Sequence, residues 1–105
     1  MPDTPRDVFE AIADPTRREI LALLASAAMH VGELSQHFEL SRPAISRHLR
    51  VLREADLVRE RKVGRQRLYA LRPWPLRDVR MWIAHFDQFW GVKLKNLKSR
   101  LEDVG

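Results

Sequence analysis

The sequence predicts a mainly α fold carrying one small β-hairpin: about five helices, with two strands set between the fourth and the fifth. Three observations lead there. In S-R-P-A-I-S-R-H-L-R-V-L-R-E-A (41–55), Ile45, Leu49 and Leu52 recur at i, i+4 and i+7 behind a serine, the period of a capped amphipathic helix. Residues 57–72 hold two strand-forming runs about Gly64, a hairpin signal. After Pro73-Trp74-Pro75, apolar residues return at helical spacing almost to the end of the chain.

The chain has 105 residues, the length of one domain. With 45% hydrophobic and 31% charged residues it is a globular composition, though short enough that a partner subunit would help its stability. There is no cysteine, which excludes disulfides and thiolate metal sites. The N-terminal M-P-D-T-P-R-D lacks the apolar run of a signal peptide, and no stretch approaches the roughly 18 apolar residues of a membrane span; the expectation is a cytoplasmic protein. Net charge is +5 and unevenly spread. Residues 42–72 hold ten basic side chains against three acidic ones, a local +7 that leaves −2 for the remainder. A basic block on a near-neutral body is the electrostatic footprint of a nucleic-acid binder.

The first helix is expected near Asp7, with Val8, Phe9 and Ile12 as its apolar residues; being short, it needs a neighbour to pack on. Asp14 and Pro15 suit the cap and first position of a second helix running to about Ala27, with Ile20, Leu21, Leu23 and Leu24 inward. Arg17 and Arg18 lie near its start, where the helix dipole disfavours cations, so an ion pair with a carboxylate such as Asp14 is the favoured compensation. A third helix is expected over about Val31 to Phe38, with Val31, Leu34 and Phe38 inward. The link Glu39-Leu40-Ser41 leads directly into helix 41–55. Two helices joined by about three residues, the second capped and basic, make a helix-turn-helix pattern. Opposite the stripe of Ile45, Leu49 and Leu52, the helix offers Pro43, Arg47, Arg50 and Glu54, with Arg42, Ser46 and Arg53 on the flank. Such a face suits a DNA major groove.

Asp56 follows, where a glycine in the left-handed conformation is usual; the end is therefore either slightly strained or shaped differently. Strands are expected over 57–63 and 67–72, joined through Gly64-Arg65-Gln66. Arg65 and Arg67 sit at or beside the tip, placed to reach a DNA backbone or narrow minor groove. A continuous final helix is expected from about Leu76 to Asp103, with Leu76, Val79, Ile83, Phe86, Trp90, Leu94, Leu97 and Leu101 as its seam, close to a heptad pattern; Trp82 and Phe89 widen it. At roughly 40 Å this helix is too long for a small body to cover. It predicts a two-fold homodimer built on this helix and the first, with Phe9, Val79, Ile83, Phe86, Trp90 and Leu94 in the interface. Gly91 is a candidate for a bend or close approach.

The segments A-D-P-T-R-R-E-I-L (13–21), V-G-E-L-S (31–35), S-R-P-A-I-S-R-H-L-R-V-L-R-E-A (41–55), L-V-R-E-R (57–61) and G-R-Q-R-L-Y-A-L (64–71) together resemble the ArsR-type winged-helix bacterial repressors over about residues 6 to 100. The resemblance implies a winged helix-turn-helix homodimer that binds an operator on double-stranded DNA and represses transcription. It divides the single domain 1–105 into a DNA-binding body, 7–72 with its wing 57–72, and a dimerisation helix, 75–103. By similarity, Arg42, Pro43, Ser46 and Arg47 face base edges, Ser41, His48 and Arg50 contact phosphates or support the helix, and Arg65 and Arg67 serve the wing. The family's metal sensors carry a Cys-Val-Cys-Asp-Leu type motif on the third helix. Here that stretch reads His30-Val31-Gly32-Glu33-Leu34, with both cysteine positions empty. A second family site on the last helix would find only Asp78, His85 and Asp87, without the second histidine expected further along, where zinc takes about three or four protein ligands. No metal or other cofactor is expected.

The alternative reading is a winged-helix protein-interaction module without specific DNA binding; the +7 block argues against it. No constellation supports an enzyme: there is no cysteine nucleophile, recognisable carboxylate pair or phosphate-cradling glycine loop. Trp74, Trp82 and Trp90 suit core and interface packing, and they mark the first region to search for a small-molecule inducer.

Overall fold

The computed structural model describes residues 7–90. Each early helix begins on a side-chain cap. Asp7 accepts from the Phe9 N–H at 3.0 Å and opens α1 (Val8–Ala11). Asp14 accepts from the Arg17 N–H at 3.0 Å and opens α2 (Pro15–Ser26), with proline in its first turn. These bonds satisfy N–H groups that a helix start leaves without internal partners. Strand β1 (Met29–His30) leads into α3 (Val31–Ser35), and Glu33 closes back on the His30 N–H at 3.0 Å. Ser41 then caps α4 (Arg42–Glu54), its Oγ accepting from the Ala44 N–H at 3.2 Å. Strands β2 (Val58–Val63) and β3 (Gln66–Leu71) form the hairpin, and α5 (Leu76–Ala84) follows. No helix among the described residues is long and apolar enough to cross a membrane.

The core lies where α2, α3, α4 and the base of the hairpin converge. Ile45, Leu49 and Leu52 are fully buried, with Ile20, Leu34, Leu57 and Val58 around them. Each such side chain contributes roughly 1.5–3 kcal/mol through removal from water, so this stripe fixes the roll of α4 and with it the face α4 offers outward. Leu23, Val31 and Phe38 are only partly buried against the core.

Several expectations are corrected. The third helix ends at Ser35 rather than Phe38, so the connection to α4 runs over residues 36–41 and is longer than a three-residue link. The sheet has three antiparallel strands in the order β1-β3-β2, because Met29 and His30 pair with Tyr69 and Leu68; two residues are too few to show a period-2 pattern. The strands span 58–63 and 66–71, and the turn is the pair Gly64-Arg65, since Val63 and Gln66 already oppose each other. Gly64 stands at φ 63°, the positive φ that a two-residue hairpin turn with glycine first requires. The guanidinium groups of Arg17 and Arg18 hydrogen-bond to the carbonyls of Glu10, Ala11 and Ile12 rather than to a carboxylate; these lie at the end of α1, where the helix dipole is negative, and the Asp14 charge is felt by Arg17 at a distance.

The final helix is interrupted. At the end of α5 the backbone N–H groups of His85 and Phe86 reach back only three residues, to Trp82 and Ile83, while the His85 ring Nδ1 lies 3.1 and 3.2 Å from the Met81 and Trp82 carbonyls. Those are the carbonyls a continuing α-helix would have used. Residues 85–86 form a turn and helix resumes at 87–90. Leu94, Leu97, Leu101 and Gly91 lie outside the described residues.

The end of α4 answers the question posed by Asp56. Its N–H donates to the Arg53 carbonyl at 3.0 Å and the Leu57 N–H to the Leu52 carbonyl at 2.9 Å, with Leu52 and Leu57 both buried. This is a Schellman ending, and Asp56 occupies its left-handed position at φ 60°. Asp56→Gly is expected to raise the thermal midpoint by a few degrees. Relief of about 1–2 kcal/mol of backbone strain exceeds the roughly 0.5–1 kcal/mol entropy cost of glycine. An unchanged or lower midpoint would show that the 3.8 Å pairing of Asp56 with Arg72 outweighs the strain.

Candidate nucleic-acid interface

Burial of one stripe of α4 turns the opposite one to solvent. Arg42, Pro43, Ser46, Arg47 and Arg50 are all exposed. Among the described residues Arg42 and Arg47 have no ion-pair partner, which leaves their guanidinium groups available for a fork-like contact with an acceptor pair. Arg42 lies across Gly32 of α3: a Cβ at Gly32 would come within 3.1 Å of its Nη2. The missing side chain thus makes room for Arg42 at the start of α4.

The other α4 residues singled out in the sequence have local partners. Ser41 is the cap already described. Arg50 donates from Nε to Glu54 at 3.0 Å on an exposed face, a pairing weak enough in water to be exchanged for phosphate. His48 is half-buried, with Nδ1 3.4 Å from Arg17 Nη1. An arginine only donates, so Nδ1 accepts in this contact when it carries no proton. Arg17 thereby ties the end of α1 to α4, and His48 supports the helix from behind. Asp14 belongs to the same junction. Burial pushes its carboxyl up, but the Arg17 N–H bond, the nearby His48 and Arg17 charges and the Thr16 N–H outweigh it and hold the group below the ordinary carboxylate value.

The hairpin projects beside α4, six residues per strand, roughly 20 Å. Its register assigns the faces. Val58 opposes Leu71, Glu60 opposes Tyr69 and Lys62 opposes Arg67 on the face whose base enters the core, while Arg59, Arg61 and Val63 share the other. Arg65 occupies the tip, exposed and without an ion-pair partner among the described residues. Arg67 is different: its Nη1 is 2.7 Å from Glu60 Oε1, and its carbonyl lies 3.3 Å from the His30 ring. The two arginines assigned to the wing thus differ in their surroundings: Arg65 is open at the tip and Arg67 is paired at the base of a cleft.

Glu60 is the residue that sequence reasoning missed. Its carboxylate, only 19% exposed, receives Arg53 of α4 at 2.7 Å as well as Arg67 of β3. It also reaches Tyr69: burial first, and then the hydrogen bond and charge of Glu60, push the Tyr69 phenol up, with Arg53 and Arg67 partly opposing. The signal was an acid inside a basic block, but only the strand register places it opposite Tyr69 and beneath α4. Ser46, Arg50, Arg53, Glu60, Arg67 and Tyr69 line the resulting cleft of about 390 Å³ between helix and hairpin.

The face set aside for dimerisation is aromatic and open. Phe9 and Trp82 meet edge to face at 5.8 Å, as do Trp82 and Phe86 at 5.3 Å. Ile83, Phe89 and Trp90 remain 45%, 58% and 56% exposed. Val79, of the same expected set, is half-buried against the core of its own chain. Trp74 is also exposed and lines a separate groove with Asp7, Asp56, Arg72 and Asp78. Among the described residues no group of three or more His, Cys, Asp or Glu is placed to hold a metal ion. The Nδ1 atom of His85 is committed to the α5 carbonyls.

A helix presenting free arginines, a preceding short helix and a hairpin with a basic tip define a winged helix-turn-helix. Known proteins share both the arrangement and the sequence. Residues 14–60 match the model described as "Bacterial regulatory protein, arsR family". The chain is 40% identical over 80 residues to the transcriptional repressor SdpR of Bacillus subtilis (strain 168), covering 76% of this chain and 89% of that protein. It is 38% identical over 102 residues to the HTH-type transcriptional regulator Rv2034 of Mycobacterium tuberculosis (strain ATCC 25618 / H37Rv), covering 97% and 92%. A crystal structure titled as a possible transcriptional regulator for arsenical resistance superposes with a TM-score of 0.68 at 48% identity, over 90% of this chain and 95% of that one. With the exposed arginine face of α4 set in that shared frame, the chain belongs to the ArsR family of bacterial regulatory proteins and is a DNA-binding transcriptional regulator.

Proposed function

We propose that the chain is a homodimeric repressor of an inverted-repeat operator. The observation that carries this reading is the outward face of α4, where Arg42, Ser46 and Arg47 are exposed beside one another on a helix rolled into place by three buried aliphatic residues. In this reading the first two turns of α4 enter the major groove. Arg42 and Arg47 take base edges, with Pro43 and Ser46 packed beside them. Ser41 and His48 hold the helix, Arg50 exchanges Glu54 for phosphate, and Arg65 at the hairpin tip meets the flanking backbone. The aromatic face of Phe9, Trp82 and Phe86, with Ile83 and Trp90, pairs two chains so that two α4 helices reach half-sites one helical turn apart, about 34–36 Å.

The test is selection of bound duplexes from a random pool, followed by a gel-shift titration of the selected duplex against a scrambled one at fixed salt. The expected result is an inverted-repeat motif bound at least about 10³-fold more tightly than the scrambled duplex. Equal affinity for both duplexes across a salt titration would overturn the proposal and favour a protein-interaction role.

A further inference from the structure

The residue at the centre of the helix–hairpin cleft has a charge of the wrong sign for DNA. Glu60 sits between α4 and β3, and two of the arginines in the basic block, Arg53 and Arg67, are each 2.7 Å from its Oε1. Both cations are largely solvated, 44% and 62% exposed, whereas the carboxylate is 19% exposed. The cleft they line is continuous with the reading face through Ser46 and Arg50.

We propose that Glu60 sets the DNA specificity of this chain by withholding Arg53 and Arg67 from phosphate, lowering affinity for DNA in general more than affinity for the operator. The inference rests on the reading of α4 as the base-contacting helix. Binding to arbitrary sequence comes almost wholly from cations that find phosphates and release counterions. A loosely placed protein lets any unpaired arginine on its basic face find one. At the operator, base contacts fix the placement, and Arg53 lies in the last turn of α4, away from the first turn that carries Arg42, while Arg67 lines a cleft with Arg42 and Ser46. Holding Arg53 on Glu60 therefore removes more from random binding than from operator binding. The carboxylate is fixed for this role by both guanidinium groups, in a cleft that Tyr69 also lines.

The experiment compares wild type with Glu60→Gln and Glu60→Asp on two 30-base-pair duplexes, one selected by the wild-type protein and one random, between about 50 and 200 mM salt. For Glu60→Gln, binding to the random duplex is expected to tighten about tenfold at the low-salt end. Its log K against log salt is expected to steepen by about 1–2, the value for one or two added phosphate contacts. The selected duplex gains less, so the ratio between the two falls. Glu60→Asp keeps the wild-type slope, and adding Arg67→Gln to Glu60→Gln cancels part of the gain.

A purely structural role predicts instead that Glu60→Gln weakens both duplexes equally with no steeper slope, and that result overturns the proposal. Failure of the wild-type protein to prefer its selected duplex overturns the underlying reading of α4, a separate outcome. A second readout needs no DNA. The chain has one tyrosine, so absorbance titration of the phenol reports Tyr69 alone. In Glu60→Gln the charge is lost while the amide oxygen can still accept from the phenol, so the midpoint of that titration is expected to fall, and an unmoved midpoint also overturns the proposal.

Discussion

Replacing Arg47 by alanine is expected to lower affinity for the selected operator by about 10- to 100-fold while lowering affinity for random duplex only a few-fold. A bidentate arginine contact to a guanine edge is worth about 1–3 kcal/mol of discrimination, and each 1.4 kcal/mol is tenfold in binding. Arg47 is exposed and has no ion-pair partner among the described residues, so its removal leaves no stranded charge. Alanine is also the better helix former. Thermal unfolding should therefore be unchanged within about 0.5 kcal/mol, which separates a recognition defect from a folding defect. Gel-shift titrations against every single-base variant of the selected half-site make the check. The variant should lose discrimination at one or two adjacent positions and keep it elsewhere. An equal loss on the selected and random duplexes, with a salt slope smaller by about one, would identify Arg47 as a phosphate contact instead.

That expectation depends on the roll of α4, which was legible in the sequence because it is set locally. Ile45, Leu49 and Leu52 share one face of any α-helix, Ser41 is placed to cap it, and the structure buries the first three and bonds the fourth. The cap Asp14 was legible for the same reason, as was the start of the first helix near Asp7. What the sequence hid is pairwise and distant. The Glu60 cluster needs the register Glu60 against Tyr69 and the approach of Arg53 from another element. Period-2 alternation can assign residues to a face without saying what they oppose. The room that Gly32 leaves for Arg42 is another long-range fact. The interruption of α5 is local, yet it defied periodicity, because apolar spacing is indifferent to a histidine ring that lies beside two backbone carbonyls of the helix ladder.

The interruption bears directly on dimerisation. A straight heptad seam would bury a single stripe; here Phe9 from α1 meets Trp82, and Trp82 meets Phe86 at the turn, in an edge-to-face cluster with Ile83 exposed next to it. Ile83→Glu is expected to leave the monomer folded, because the side chain is 45% exposed there. In a dimer that pairs these faces, the same substitution puts an unpartnered carboxylate into an apolar contact, at a cost of several kcal/mol. Sedimentation or light scattering at micromolar concentration should therefore report a monomer for the variant and a dimer for wild type, with matching far-ultraviolet circular dichroism. Operator affinity should fall with it by about 10²- to 10⁴-fold, the loss expected when the second half-site is no longer tethered to the first. Affinity for an isolated half-site should stay near the wild-type monomer's, since α4 and the hairpin are untouched. A variant that stays dimeric would place the interface elsewhere on the chain, and a wild type that is monomeric at these concentrations would leave the aromatic face to another partner.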